Sequence, residues 1–299
     1  MATEYSTKAL LQRVRMLAAI PSNNPNFTDD KLVMILNDEL ESTVIPLIMQ
    51  RKSEYLVHHV DIQLTDEPIQ DIDIPHNAIY GKFRDITILN DTQEISLPLL
   101  QLESITASRH TQNNLFGYVQ QDYTIKIYKG STSGNSIRVY YYRRPNSLVS
   151  PAMAAQIKNI TGNVLTISQL PQVWYSFNPM ELSVINHQYP FNVKVEVLDV
   201  IDLDNPTIEV TSTDNISVGD WVTISGYSVI PQIPPETHPY LVSCAVLRVF
   251  QANGDKEGMT LAMGKRDELR DTLITSMADR NDGARAVVLS RYSLARRRF

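Results

Sequence analysis

The sequence predicts an α+β fold. A helical bundle formed by the N- and C-terminal helices carries a large antiparallel β insertion, folded as a β-sandwich or small barrel. Three observations predict it. Apolar residues recur at helical spacing only near the two ends, over residues 5–52 and 234–279. From about residue 57 to 233 the pattern alternates with a period of two and is broken by turn residues. The 43% hydrophobic and 20% charged content is that of a chain able to bury a core. Residues 1–56 are then the first part of a helical domain, and 57–233 are the inserted β region, divisible into 57–148 and 149–233. Residues 234–282 form a helical hairpin that completes the helical domain, and 283–299 an extended docking tail.

The elements follow in order. Residues 5–19 read as a helix with Leu10, Val14 and Leu17 on one face, stopped by Pro21. Thr28 is the expected N-cap of the next helix, with Asp29 and Asp30 at the positive end of its dipole. Leu32, Leu36, Leu40, Val44 and Leu47 continue it, and Pro46 is expected to kink or locally break it before about Lys52. The peptide LVHHVDIQL at 56–64 reads as a strand. His58 and His59 point to opposite faces of such a strand and cannot share a metal. Segments 72–75, 78–80 and 83–89 read as further strands. YTIKIYK (123–129) and SIRVYYYR (136–143) read as a hairpin closed by Gly130-Ser-Thr-Ser-Gly134. Strands at 157–160 and 164–167 flank Gly162-Asn163, a tight-turn signal. Those at 193–200, 207–211 and 219–225 follow, with Asp214-Asn215 as a turn.

Pro234, Pro235 and Pro239 open a helix whose stripe runs Leu241, Cys244, Ala245, Arg248 and Val249, widened by Val242, Val246 and Phe250, and which stops at Asn253-Gly254. A second helix sets Met259, Ala262, Met263, Arg266, Leu269, Leu273, Ile274 and Met277 on one side, and ends at Asn281-Asp282-Gly283.

Charge is segregated. Net charge is −6. Between residues 159 and 247 nine acids face one base, Lys194, while the last twenty residues hold six arginines against Asp282. Opposite signs at two ends suit head-to-side packing between copies. The 17-residue tail carries Arg285, Arg291, Arg296, Arg297 and Arg298, interleaved with Val287, Val288, Leu289, Tyr292, Leu294 and Phe299. It is too short to fold alone and is expected to order on a partner.

Chemistry is not expected. Phosphate-loop, dinucleotide and histidine-glutamate zinc motifs are absent from the sequence. The single cysteine, Cys244, excludes an internal disulfide and a thiolate zinc cluster, and reads as a small buried residue. Asp199, Asp202 and Asp204 lack the glycine and distal glutamate of a helix-loop-helix calcium site. No catalytic, cofactor or metal residues are expected. The longest clear apolar run, 241–247, is seven residues, far short of a membrane span. The N-terminal MATEYSTKALLQRVR has no signal-peptide core.

Several stretches carry a resemblance. LNDELESTVIPLIM (36–49) leads into the strand at 55–64, followed by IPHNAIYGKFRDI (74–86). YYRRP (141–145) and the strand VGDWV (218–222) come next, and IPPE (233–236) then opens the last helices. In order of elements the chain resembles the head-to-tail connector (adaptor) proteins of tailed, podovirus-like bacteriophages and their prophage relatives. The resemblance implies a virion protein without enzymatic activity, assembled in the host cytoplasm and resident at the head–tail junction. It would form a twelvefold ring of identical copies beneath the portal, with helices packed side by side around the DNA channel. Its partners would be itself, the portal protein, tail or further ring proteins, and DNA passing without specific binding; no membrane is implied. Tail residues Arg285, Val288, Leu289, Arg291, Tyr292, Leu294, Arg296, Arg297, Arg298 and Phe299 would dock on the portal or a neighbour. Asp199, Asp202, Asp204 and Asp214 would line a subunit contact or a channel wall that repels DNA. The alternative is a β-rich tail or baseplate protein recognising a receptor or glycan through loops near Trp174-Tyr175 or Trp221. Nucleic-acid binding by the arginine tail is a third reading, opposed by the acidic body.

Overall fold

The computed structural model describes residues 6–65, 67, 69–90, 93–100, 116–121, 123–129, 136–172, 174, 180–186, 193–202 and 206–277. Helices and antiparallel sheets both contribute, as an α+β fold requires.

Helix α1 spans Thr7–Leu17, and the Ser6 hydroxyl accepts from the Ala9 amide at its start. Its C-terminus is tied down by Arg15, whose guanidinium donates to the carbonyls of Pro21 and Phe27 and pairs with Asp29 at 2.6 Å. Helix α2 spans Asp29–Glu39, with the expected Thr28 cap accepting from the Lys31 amide. A π turn at Leu40–Val44 joins it to α3, Ile45–Arg51. Pro46 has no N–H to give the carbonyl four residues back, and its ring crowds that carbonyl. The wider i→i+5 turn just before it absorbs the mismatch without ending the helix.

The C-terminal helices are α4, His238–Asn253, and α5, Lys256–Ser276. Gly254 lies in the left-handed region (φ 70°) between them, a conformation that costs glycine nothing. The Asp255 carboxylate then caps α5 by accepting from the Gly258 amide. Helix α5 closes at Ser276, with Met277 as its C-cap, ahead of the stop expected at Asn281-Asp282-Gly283, residues that lie outside those described. Leu10, Val14, Leu32, Leu36 and Ile48 from the N-terminal helices share one apolar core with Leu241, Ala245 and Val249 of α4 and Leu273 of α5.

Two sheets follow. The first is ordered β1-β7-β3-β4, with β1 at Val57–Gln63, β3 at Ala78–Asn90, β4 at Gln93–Ser96 and β7 at Ser136–Arg143. The second is β2-β6-β5, with β2 at Ile69–Asp73, β5 at Phe116–Gln121 and β6 at Thr124–Lys129. The expected strands 78–80 and 83–89 are one strand, β3, whose register slips where Tyr80 and Gly81 adopt positive φ.

The expected hairpin of 123–129 with 136–143 is corrected. Strand β6 lies between β2 and β5, and β7 between β1 and β3. Ile125 and Ile127 of β6 and Ile137, Val139 and Tyr141 of β7 enter a common core with Ile72, Ile86 and Ile88. The strands thus belong to different sheets that share a core, as in face-to-face packing. A turn-rich linker serves a sheet-to-sheet crossing as well as a hairpin; residues 130–135 themselves lie outside the described residues.

Residues 155–224 make a closed six-stranded barrel ordered β10-β13-β12-β11-β14-β9. Strand β9 is Ala155–Thr161, β10 Val164–Ile167, β11 Met180–Ile185, β12 Val193–Asp202, β13 Thr207–Val210 and β14 Trp221–Ile224. The β9–β10 hairpin turns at Gly162, with φ 61°, as its sequence requires. The interior is filled by Ile157, Leu165, Leu182, Val184, Ile208 and Val222. Two short strands, β8 at Ser147–Leu148 and β15 at Tyr227–Ser228, run parallel where the chain enters and leaves the barrel.

Candidate assembly surface

Helix α4 is the centre of the helical layer. Ten of its sixteen residues are buried, because α1, α2 and α5 all pack on it. Cys244 sits in this core, and burial pushes its thiol up to about 12, so it is neutral and unreactive. This agrees with its reading as a small structural residue. His238, at the start of α4, is 3% exposed, and burial draws it down to about 4. His58 is also drawn down to about 4, first by burial, then by the neighbouring Arg143 and His59. Among the described residues no group of three or more His, Cys, Asp or Glu could hold a metal ion. No described helix is long and apolar enough to cross a membrane.

Two polar devices hold α2 in place. The buried Glu39 carboxylate accepts from the Arg248 guanidinium of α4 and from the Thr43 hydroxyl of the π turn. The Asn37 side chain both donates to the Leu148 carbonyl at 2.9 Å and accepts from the Leu148 amide at 2.7 Å. Ser147 and Val149 send their amides the other way, to Gly226 and Ser228 beside them. Asn37 therefore stands in for a neighbouring strand on the open edge of β8. The seam is closed by Thr7, whose amide and hydroxyl both donate to Val229. Sequence reasoning missed Asn37 and Glu39. Their only local signal was polarity on a helix whose other periodic positions are apolar.

On the far side of α4 lies an open apolar groove of about 430 Å³. Leu17 of α1, Val242, Val246 and Phe250 of α4, and Leu261 and Leu269 of α5 line it. Arg13 and Lys265 stand among its walls. Helix α5 is thinly anchored here: over Lys256–Ser276 only Ala262 and Leu273 are buried. Met263, expected on its inner side, is 44% exposed, and Leu261 is 76% exposed. On the adjoining helix Met16 and Leu17 are 72% and 55% exposed. Of these four exposed side chains, Leu17 and Leu261 meet in the groove.

The residues expected to form sites fall elsewhere. Arg285, Val288, Leu289, Arg291, Tyr292, Leu294, Arg296, Arg297, Arg298 and Phe299 lie outside the described residues, as does Asp204. Asp199 and Asp202 lie on β12, opposite Glu209 and Thr207 of β13. Asp214 sits in the turn before β14 and accepts from the Ser212 hydroxyl at 2.8 Å. Trp174 does not present its ring to a ligand: it is 2% exposed within the barrel core and its indole N–H donates to the Met153 carbonyl. Trp221 is half-buried on β14, with its indole nitrogen buried and no hydrogen-bond partner among the described residues.

No family model matches the chain, and no curated protein matches it.

Proposed function

We propose that the chain is a structural virion protein, one subunit of a head-to-tail connector ring that joins the portal to the tail and forms part of the DNA channel. One observation carries the reading. Both ends of the chain feed helices into a single apolar core, and the resulting layer still offers an unfilled apolar groove. A cyclic ring of identical copies needs such an unsatisfied patch on each subunit, matched by a different patch on the next. In this reading the helices of both ends form a bundle that serves as the ring's platform. The basic tail, 283–299, docks on the portal or a neighbour. The acidic side of the barrel region, with Asp199, Asp202, Asp204 and Asp214, faces a subunit contact or the channel.

Electron microscopy and native mass measurement of the purified protein, alone and mixed with portal, test the proposal. Rings of defined copy number are expected at neutral pH or on mixing. Deleting residues 283–299 is expected to leave the fold intact and abolish docking to portal. A chain that stays monomeric under both conditions and binds no portal refutes the proposal.

A further inference from the structure

We infer that the groove between α1, α4 and α5 receives the outward face of α2 from a second copy of this chain. The inference rests on the ring reading and assigns its two contact faces.

The two surfaces lie on opposite flanks of α4. The groove is lined by Pro239, Val242, Ser243, Val246 and Phe250, a single stripe of that helix. Arg248, which grips Glu39 of α2, comes nine residues after Pro239. At 3.6 residues per turn that is about two and a half turns, which places α2 on the side away from the groove. Helix α2 buries Leu32, Val33 and Leu36 inward. Asp30, Met34 and Asp38, four residues apart, are exposed on its outer side, with Met34 at 64%. Each copy therefore offers a concave apolar patch on one flank and a convex patch on the other, with one large apolar side chain at its centre. This is the arrangement a head-to-tail contact needs.

Charge selects the pairing. Of the cations of α1, Arg13 stands in the groove's wall with Lys265 opposite it, whereas Lys8 and Arg15 line a separate hollow beside Asp29 and Ser150. Arg15 is engaged with Asp29 and Lys265 with Glu268. Helix α2 carries Asp29, Asp30, Asp38 and Glu39 against Lys31 alone. Glu39 is turned inward onto Arg248, and Glu41 of the π turn pairs with Arg144, so the outward acids of α2 are Asp30 and Asp38. Asp30 and Asp38 flank Met34, so that Met34 entering between Leu17 and Leu261 carries carboxylates toward a basic rim. The arginine tail has apolar residues to offer the same groove, but it would bring like charge to that rim.

Two double variants test the inference. M34K/D38K spoils the α2 face, and L17R/L261R spoils the groove. All four positions are exposed, so both variants are expected to fold, with circular dichroism unchanged. Each alone is expected to run as a monomer by sedimentation velocity under conditions where the native chain assembles. Mixed in equal amounts, they are expected to form a 1:1 dimer that grows no further, because one sound groove meets one sound α2 face. If either variant assembles like the native chain, or the mixture stays monomeric, the inference is overturned while the ring reading stands. If assembly is lost on deleting 283–299 but survives M34K/D38K, the tail is the occupant and the inference fails. A native chain that is monomeric at every concentration, with and without portal, removes both readings.

Discussion

Replacing Asn37 by alanine tests whether one side chain couples the helical layer to the barrel seam. The Leu148 residue is 1% exposed, and its amide and carbonyl find their partner in the Asn37 amide. Alanine leaves both backbone groups without that partner. An unmade bond to a buried polar group costs about 1–3 kcal/mol. Two such groups beside a half-buried side chain, where water recovers part of the loss, bring the expected cost to about 2–4 kcal/mol. Asn37→Asp should be no better: it keeps an acceptor for the Leu148 amide but turns a second oxygen toward the Leu148 carbonyl. Equilibrium urea unfolding measures the effect with two separate reporters. Both tryptophans belong to the barrel region, so fluorescence reports that region. The helical circular-dichroism signal reports the helices of both ends. Both midpoints should fall, and the two curves should separate in the variant if Asn37 couples the regions. A loss below about 0.5 kcal/mol, or an Asn37→Asp protein as stable as the native one, refutes the reasoning.

Two further outcomes are expected. His238 is held near 4 by burial, below its ordinary 6.5, so the unfolded chain binds a proton in this window that the folded chain does not. Its contribution is therefore present above about pH 6.5 and is lost as pH falls toward 4. Urea midpoints from pH 7 to 4 should fall more for the native chain than for His238→Gln; equal slopes would refute the assignment. Gly117 has φ 147°, and an added Cβ would sit 2.4 Å from the Pro98 carbonyl oxygen. Gly117→Ala should cost about 2–4 kcal/mol by urea titration, and a neutral result would mean that Pro98 and Leu100 can withdraw.

Much of the fold was legible because much of it is local. The Thr28 cap, the Gly162 turn and the Gly254 stop are each dictated by a residue's own backbone preference, and the helices and strands beside them follow. Pro46 forecast an interruption, though its form, a π turn that keeps the helix running, depends on packing along both sides. The pairing of β6 and β7 was misread because alternation fixes which face a residue takes and leaves its lateral neighbour open. Two strands that face one core from opposite sheets have the same pattern as two strands of one hairpin. The Asn37 clamp joins positions 111 residues apart and leaves no periodic trace. The groove escaped notice for a related reason. Leu17, Met263 and Leu261 have the spacing of inward residues or of their neighbours, and only the positions of α1 and α4 reveal that they face outward.

The side-by-side strands β8 and β15 have a bearing on how the chain reaches this state. They bracket the whole barrel, so the two ends of a segment on the order of 80 residues emerge together. An unstructured loop of that length resists having its ends joined, by an amount that grows with the logarithm of length. Once the barrel has closed on itself, the remaining connection behaves as a loop of only a few residues. That change is worth about 2–3 kcal/mol in favour of later contacts between the segments that directly flank the barrel, such as the Asn146 amide with the Gln232 side chain. Early barrel closure would thus act as a clasp, making the two flanks of the barrel near neighbours along the chain before the helices of the two ends meet.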